Sequence, residues 1–117
     1  MSDLKRLQVG PRMSQAVVHG GTVYLAGQVA NEAAGQSVAE QTEEILAKID
    51  ALLAEAGSDK GKLISATIWL TDMSKFAEMN ALWDAWVQPG ATPARACVEA
   101  KLAAPQYTVE IAIIAAL

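Results

Sequence analysis

The sequence contains a single cysteine, Cys97, and a single histidine, His19. A lone cysteine cannot form a disulfide within the chain, which is typical of proteins kept in a reducing compartment. One cysteine and one histidine are also too few ligands for the usual zinc site of nitrogen and sulfur atoms. His19 stands next to a Gly-Gly pair, where an exposed turn residue is the simplest interpretation. No pattern brings it near Cys97 to form a nucleophile–base pair.

Long apolar segments and clusters of basic residues are absent as well. The stretch IAIIAAL has seven residues, far fewer than the roughly 20 that a membrane-spanning helix needs. The first residues, MSDLKRLQV, contain no apolar signal core, so we expect a cytoplasmic protein with no membrane partner. The net charge is −4 and the basic residues are scattered. This argues against nucleic-acid binding, because clustered Lys and Arg are needed to neutralise phosphates.

The apolar residues that are present describe one compact domain. A hydrophobic fraction of 52% in 117 residues predicts a single domain, residues 1–117, with one core. Ser37 followed by Glu40 predicts a capped helix start, and Gly57 predicts its end. The predicted order is β-β-β-α-β-α-β-β, an α+β fold. Its elements are strands at about 4–9, 62–70, 94–100 and 107–116, a hairpin within 14–30, and helices at about 37–57 and 74–87.

Several of these strands are apolar on both sides. In the last strand, Val109, Ile111 and Ile113 point one way while Ala112 and Ile114 point the other. Two helices cover only one face of a sheet, whereas this pattern is typical of a sheet buried on both faces. Another copy of the chain is the simplest cover for the second face. We therefore predict an obligate homo-oligomer whose sheets pack together.

Charged residues stand in the most apolar part of the chain. The segment TPARACVEA places Arg95, Cys97 and Glu99 on one face of a strand, and Glu110 is the single charge in TVEIAIIAAL. One interpretation of Arg95 is an interface salt bridge with Glu99 or Glu110 of a neighbouring chain. The other is an anchor whose guanidinium holds a carboxylate with two parallel hydrogen bonds. In that case Glu110, which we place on the adjoining strand, positions a water molecule.

Two further polar residues accompany Arg95, and each has two interpretations. Cys97 is either a small core residue or part of the same site. Asn80 stands near the apolar face of the second helix. It is either a structural hydrogen-bonding residue or a ligand contact.

Four segments together resemble the reactive-intermediate deaminases, the Rid or YjgF-type family. They are GP-RMSQAV, YLAGQV, KFAEMNALW and TPARACVEAKL…VEIAIIA, in this order and over nearly the whole chain. The PAR-x-C-V-E segment is the most specific of them. The resemblance implies a chorismate-mutase-like (YjgF-type) α+β fold, with two helices packed on one face of the β-sheet. It also implies a homotrimer with ligand clefts between adjacent subunits, in agreement with the predicted oligomer.

The resemblance implies an activity as well. Members of the active branch hydrolyse reactive enamines and imines, such as 2-aminoacrylate, to a 2-keto acid and ammonia, and need no cofactor. A 2-imino acid is already electrophilic, so orientation of one water and a carboxylate base are sufficient catalysis. The implied catalytic residues are Arg95, the carboxylate anchor, and Glu110, which orients the water. The implied substrate-binding residues are Arg95, Cys97, Asn80, Gly27 and Met13.

Two positions depart from the family pattern. Ala26 replaces the usual serine before Gly27, and Met13, preceded by an inserted Arg12, replaces the usual tyrosine. Both changes remove hydroxyl groups from the expected pocket, so we expect it to favour apolar imino acids. The alternative function is a trimer that binds small carboxylates in the same cleft without turnover. A ribonuclease activity, sometimes attributed to this family, is disfavoured by the acidic charge and the lack of a nucleophile–base pair.

Overall fold

The computed structural model describes residues 3–117, which form six strands and two helices in the predicted order. Neither helix in this part of the chain combines the length and the apolar character that a membrane span requires. Short 3-10 turns precede β4 and α2, at Lys60–Lys62 and Met73–Lys75. The elements are β1 (Lys5–Val9), β2 (Ser14–His19), β3 (Thr22–Leu25), α1 (Val38–Ala56), β4 (Leu63–Leu70), α2 (Phe76–Trp86), β5 (Ala94–Glu99) and β6 (Val109–Ala116).

Helix α1 begins and ends where the sequence predicts. The Ser37 hydroxyl accepts a hydrogen bond of 3.1 Å from the Glu40 amide. This bond satisfies one of the N–H groups that a first helical turn leaves without a partner. At the other end, Gly57 has a φ of +88° and its N–H donates to the Ala54 carbonyl. Glycine adopts this left-handed conformation at little cost, so both predicted helix signals are confirmed.

The six strands form one mixed sheet in the order β1-β2-β3-β6-β4-β5. Neighbouring strands are antiparallel except β4 and β5, which are parallel. The chain passes through α2 between them, since parallel neighbours need a crossover connection. Strand β6 therefore lies inside the sheet and β5 at its edge. The prediction that Glu110 lies on the strand adjoining Arg95 is wrong, because β4 separates β6 from β5.

The hydrophobic core lies between one face of this sheet and the two helices. Alternate residues of the inner strands are buried there, and each Val, Leu or Ile side chain among them stabilises the fold by about 1.5–3 kcal/mol when it is fully removed from water. Both helices contribute to the same core, so the prediction of two helices on one sheet face is confirmed. The buried core residues include Val23, Leu25, Ala66, Ile68, Leu70, Val109, Ile111 and Ile113 from the strands, and Ile45, Ile49, Leu53, Met79, Trp83 and Trp86 from the helices.

The opposite face of the sheet is also apolar, but residues 3–117 do not bury it. Tyr24 and Val98 on this face are 45% and 46% exposed. Their register partners Ile114 and Trp69 are half-buried. The predicted pattern of strands that are apolar on both sides is therefore confirmed. A single chain leaves this surface in water, which is unfavourable and typical of a face that packs against another molecule.

Candidate active site

Arg95 lies on the edge strand β5, on the face of the sheet that carries the helices. Its register partner on β4 is the buried Ala66, and Cys97 pairs with the buried Ile68. Since side chains alternate along a strand, Glu99 lies on this face too. The expected grouping of Arg95, Cys97 and Glu99 on one face is confirmed.

Helix α2 holds the guanidinium group of Arg95. Its Nη1 donates a hydrogen bond of 2.8 Å to Oδ1 of Asn80. Its Cζ lies 5.7 Å from the ring centroid of Phe76 and 5.4 Å from that of Trp83, within the range of cation–π attraction. Within residues 3–117 no carboxylate pairs with Arg95. The remaining N–H groups of this charged side chain are therefore available to an external acceptor.

Cys97 and Glu99 have different surroundings from Arg95. Cys97 is half-buried against the core. Burial raises the pKa of its thiol, an effect that the charge of Arg95 opposes. A raised pKa disfavours the nucleophilic thiolate, so Cys97 lines this region as a small neutral side chain. The Glu99 carboxylate accepts a hydrogen bond of 2.9 Å from the Met73 amide, which ties β5 to the turn before α2.

Glu110 points away from Arg95, to the opposite face of the sheet. It pairs with Trp69 of β4 and lies between Val109 and Ile111, which face the helices. Arg95 and Glu110 of one chain therefore cannot meet, because they lie on opposite faces of the sheet with β4 between their strands. Glu110 is half-buried, and this burial raises the pKa of its carboxyl group.

Gly27 makes room for the Glu110 carboxylate. A methyl group built at Gly27 would overlap Glu110 Oε2 and lie 3.0 Å from Cδ. The neighbouring amides of Ala26 and Gln28 donate to the carbonyls of Gln15 and Ile111. Within residues 3–117 the Gly27 N–H has no hydrogen-bond partner. A free backbone donor thus stands beside a carboxylate.

The predicted site residues therefore form two groups rather than one. We call Arg95, Asn80 and Cys97 the arginine half-site, and Glu110 and Gly27 the glutamate half-site. The first offers a cation with unused donors, which suits a carboxylate. The second offers an N–H donor and a carboxylate of raised pKa, which suits proton transfer with a bound water. Neither half-site supplies both functions.

His19 takes no part in either half-site. It ends β2, is exposed, and its Nδ1 lies 2.6 Å from Oδ1 of Asp3. Three strands separate β2 from β5 in the sheet, so His19 and Cys97 do not form a pair. His19 is exposed as predicted, but it is the last residue of β2 and the turn begins at Gly20. In the described chain, no three or more His, Cys, Asp or Glu side chains are arranged to hold a metal ion.

Comparison with known proteins identifies the family. The sequence profile of the family described as Endoribonuclease L-PSP matches residues 4–117. A RutC family protein of Haemophilus influenzae is 45% identical over 112 residues, which are 96% of this chain and 97% of the relative. The chain belongs to the YjgF/Rid/RutC family.

Solved structures of the YjgF/Rid/RutC family have the same fold. NMB1025 of Neisseria meningitidis, a member of the YjgF protein family, superposes with a TM-score of 0.94 at 50% identity, covering 97% of this chain and 94% of that one. YyfA of Yersinia pestis, from the Rid protein family, gives a TM-score of 0.83 at 32% identity, covering 93% and 90%. The predicted resemblance and the YjgF-type arrangement of two helices on a mixed sheet are confirmed.

The two departures from the YjgF/Rid pattern lie in different surroundings. Ala26 is half-buried directly before Gly27, so it borders the glutamate half-site. Met13 lies on the β1–β2 connection and is 46% exposed, and its carbonyl accepts a hydrogen bond of 2.8 Å from the Gly10 amide. The structure therefore places Ala26 next to Gly27 of the glutamate half-site and Met13 on an exposed loop.

Phe76 and Trp83, two aromatic neighbours of Arg95, are not among the site residues predicted from the sequence. A signal was nevertheless present, because they stand four residues before and three residues after Asn80. That spacing puts all three side chains on one face of a helix.

Proposed function

We propose that this protein hydrolyses reactive 2-imino and 2-enamino acids to 2-keto acids and ammonia. The observation that carries the proposal is the Arg95 guanidinium. It is exposed, and its one hydrogen bond within residues 3–117 goes to a neutral amide. A planar cation with unused donors at the edge of an apolar sheet suits a small carboxylate ligand, which it can hold with two parallel hydrogen bonds.

The proposed site lies in a cleft between subunits of a homotrimer. Arg95 and Glu110 lie on opposite faces of one sheet, so a single subunit cannot bring both to one substrate. The apolar face that carries Glu110 needs a partner. A neighbouring copy that covers this face and presents its own β5 edge supplies the missing arginine half-site. Each cleft then combines Arg95, Asn80 and Cys97 of one subunit with Glu110 and Gly27 of the next, and Met13 borders it.

The chemistry follows from this arrangement. An enamino acid first tautomerises to the 2-imino acid, whose carboxylate binds Arg95. Glu110 accepts a proton from water as the water oxygen bonds to the imine carbon, and it passes this proton to the imine nitrogen to give a carbinolamine. The proton of the new hydroxyl group then moves through Glu110 to the nitrogen, the C–N bond breaks, and ammonia and a 2-keto acid are released. The contributions of the protein are orientation of the reactants and a carboxylate base, and the base is worth roughly 10²–10⁴-fold. No cofactor enters this scheme, and we place the reaction in the cytoplasm.

The test is the rate of keto-acid formation from imines. An amino-acid oxidase generates the imines in situ, and the purified protein is added at increasing concentration. We expect release of the keto acid to accelerate in proportion to the wild-type protein but not to Arg95→Ala. A wild-type protein that leaves the rate unchanged yet binds the keto acid would show the alternative function, a non-catalytic binder of small carboxylates. Absence of both binding and acceleration would reject the carboxylate site altogether.

A further inference from the structure

We infer that Phe76 and Trp83 are positioning residues that hold the guanidinium of Arg95 ready for its carboxylate. The inference rests on the proposed function, in which Arg95 anchors the substrate. It adds two residues that themselves contribute no polar group to the substrate. We call Phe76, Asn80 and Trp83 the α2 clamp.

The α2 clamp contacts Arg95 with three side chains from one helical face. Phe76, Asn80 and Trp83 are spaced by four and three residues, so they lie next to one another on α2. The Asn80 Oδ1 accepts a hydrogen bond of 2.8 Å from Nη1 of Arg95. The two rings lie 5.7 and 5.4 Å from Cζ. One edge of the guanidinium is thus fixed by a hydrogen bond, while aromatic rings limit its rotation.

The rings of the clamp are themselves well supported. Trp83 is 4% exposed, and its ring centroid lies 5.4 Å from that of Trp86 at an interplanar angle of 49°. The Trp86 indole N–H donates a hydrogen bond of 3.0 Å to Oδ2 of Asp50 on α1. Phe76 is the first residue of α2 and is half-buried. Arg95 therefore rests on side chains that are anchored in the core and, through Trp86, to α1.

Such support matters because arginine is long and flexible. A free arginine loses rotamer freedom when its planar fork aligns with a carboxylate, and this loss weakens binding. A side chain that is already held in one orientation loses less. The aromatic rings also attract the cation without using its N–H donors, whereas a carboxylate partner would occupy those donors. The clamp therefore fixes Arg95 and leaves donors for the substrate.

The experiment compares Phe76→Leu and Trp83→Leu with conservative variants that keep a ring, Phe76→Tyr and Trp83→Phe. Met79→Ala is the matched control, because Met79 is a fully buried residue of the same helix whose loss removes no ring from Arg95. Calorimetry measures the Kd of pyruvate, a keto acid that binds through its carboxylate. Imine hydrolysis gives kcat and KM separately.

We expect each leucine variant to raise the Kd of pyruvate and KM by about two- to fivefold, the weight of one cation–π contact at an exposed site. The ring-keeping variants should restore most of the affinity. Met79→Ala should lower the melting temperature without changing Kd. Leucine variants that bind pyruvate as tightly as wild type would overturn the clamp. So would a Met79→Ala variant that binds equally weakly, because the effect would then belong to helix packing.

A spectroscopic readout is independent of turnover. The chain has three arginines, Arg6, Arg12 and Arg95, so the side-chain signals of protein labelled with ¹⁵N-arginine are readily assigned with an Arg95→Lys spectrum. We expect ring-current shifts and slowed guanidinium rotation for Arg95, both reduced in Phe76→Leu. A wild-type Arg95 signal that matches those of the exposed Arg6 and Arg12 would overturn the clamp.

The outcomes separate the clamp from the proposed reaction. If wild type binds pyruvate but hydrolyses no imine, and the leucine variants bind it more weakly, the deaminase proposal fails and the clamp stands. If wild type hydrolyses imines and the leucine variants match it in Kd and KM, the clamp fails and the deaminase stands. If wild type neither binds pyruvate nor hydrolyses imines, both are overturned.

Discussion

The charged form of Glu110 destabilises the folded chain, and its proposed role as the base explains why the residue is there. Burial raises the pKa of its carboxyl group, so the folded state binds this proton more readily than the unfolded state does. Stability from this group therefore falls as pH rises from the ordinary carboxyl pKa through the raised one. Glu110→Gln removes that penalty together with the base. We expect the variant to melt at a higher temperature than wild type near neutral pH, while imine hydrolysis is largely lost.

The two measurements on Glu110→Gln are turnover and thermal denaturation at several pH values. The stability difference should vanish below the ordinary carboxyl pKa, where Glu110 is protonated in both states. For wild type, kcat should fall on the acid side of its pH profile at a pH above the ordinary glutamate pKa. The substrate carboxylate neutralises the charge of Arg95, so burial then sets the direction of the pKa shift of Glu110. Full turnover in Glu110→Gln would show that Glu110 is not the base.

Arg95 should show a graded response to substitution. Arg95→Lys keeps the charge but loses the planar fork, and Arg95→Ala loses both. We expect kcat/KM to fall from wild type to Lys and again from Lys to Ala. Charge-assisted hydrogen bonds contribute more than the roughly 1 kcal/mol of neutral ones. The kcat/KM of Arg95→Ala should therefore be at least about tenfold below that of wild type. The subunit assembly should survive in both variants.

Oligomer mass decides between the two interpretations of Arg95. If Arg95 instead forms a buried ion pair with Glu99 or Glu110 of a neighbour, alanine leaves a carboxylate unpaired. Assembly would then weaken by about 3–5 kcal/mol, and light scattering would detect dissociation. Within residues 3–117, Arg95 has no ionic partner that could conceal the effect.

At the scale of elements, buried Gln41 ties the segment before β6 to α1. Its Nε2 donates to the carbonyls of Gln36 and Gln106 at 3.1 and 3.0 Å, and its Oε1 accepts from the Thr108 amide at 3.1 Å. Gln41→Leu leaves the Gln36 carbonyl and the Thr108 amide without these partners, whereas the Gln106 carbonyl keeps a hydrogen bond from the Gly35 amide. Since each unpaired group costs roughly 1–3 kcal/mol, we expect about 2–6 kcal/mol of destabilisation in urea unfolding. The exposed Gln36→Ala should be near neutral, and a Gln41→Leu variant as stable as wild type would contradict this account.

The sequence predicted the helices and strands better than it predicted which strands pair in the sheet. Ser37 and Gly57 each bond to residues within about one helical turn of themselves. The bounds of α1 therefore followed from local signals. The placement of β6 between β3 and β4 did not, because the choice of partner strand depends on packing across the whole domain and consecutive strands are neighbours only about two-thirds of the time. Arg95 and Glu110 were predicted as site residues, but their position on opposite faces of the sheet followed only from the strand order.

At the scale of the whole molecule, the uncovered apolar face predicts self-association. Tyr24 and Val98 are nearly half exposed on this face, and such a surface is costly in water. We expect light scattering at micromolar concentration to give three times the subunit mass of 12.3 kDa. A mass near that of one subunit would reject both the trimer and the shared cleft. A Val98→Lys variant should shift the mass towards the monomer, because it places a charge in the contact.

Complementation tests whether each site draws on two subunits. Arg95→Ala and Glu110→Gln should each be inactive alone. When the two are co-expressed in equal amounts, trimers of mixed composition form. In the proposed ring, each cleft joins Arg95 of one subunit to Glu110 of the next. A cleft is therefore intact when a Glu110→Gln subunit supplies the arginine and an Arg95→Ala subunit supplies the glutamate. Random assembly makes about a quarter of the clefts intact.

We therefore expect the whole co-expressed population, mixed and unmixed trimers together, to recover about a quarter of the wild-type rate, as a head-to-tail ring of subunits requires. Intact clefts should keep the wild-type KM, so the recovery should appear in kcat alone. The matched control mixes the two variants after separate purification, where recovery should appear only as fast as subunits exchange. If Arg95 and Glu110 acted within one subunit, every site would carry a defect and co-expression would restore nothing. We expect recovery because Arg95 on β5 and Glu110 on β6 lie on opposite faces of the sheet. No rotamer of either side chain passes through the sheet.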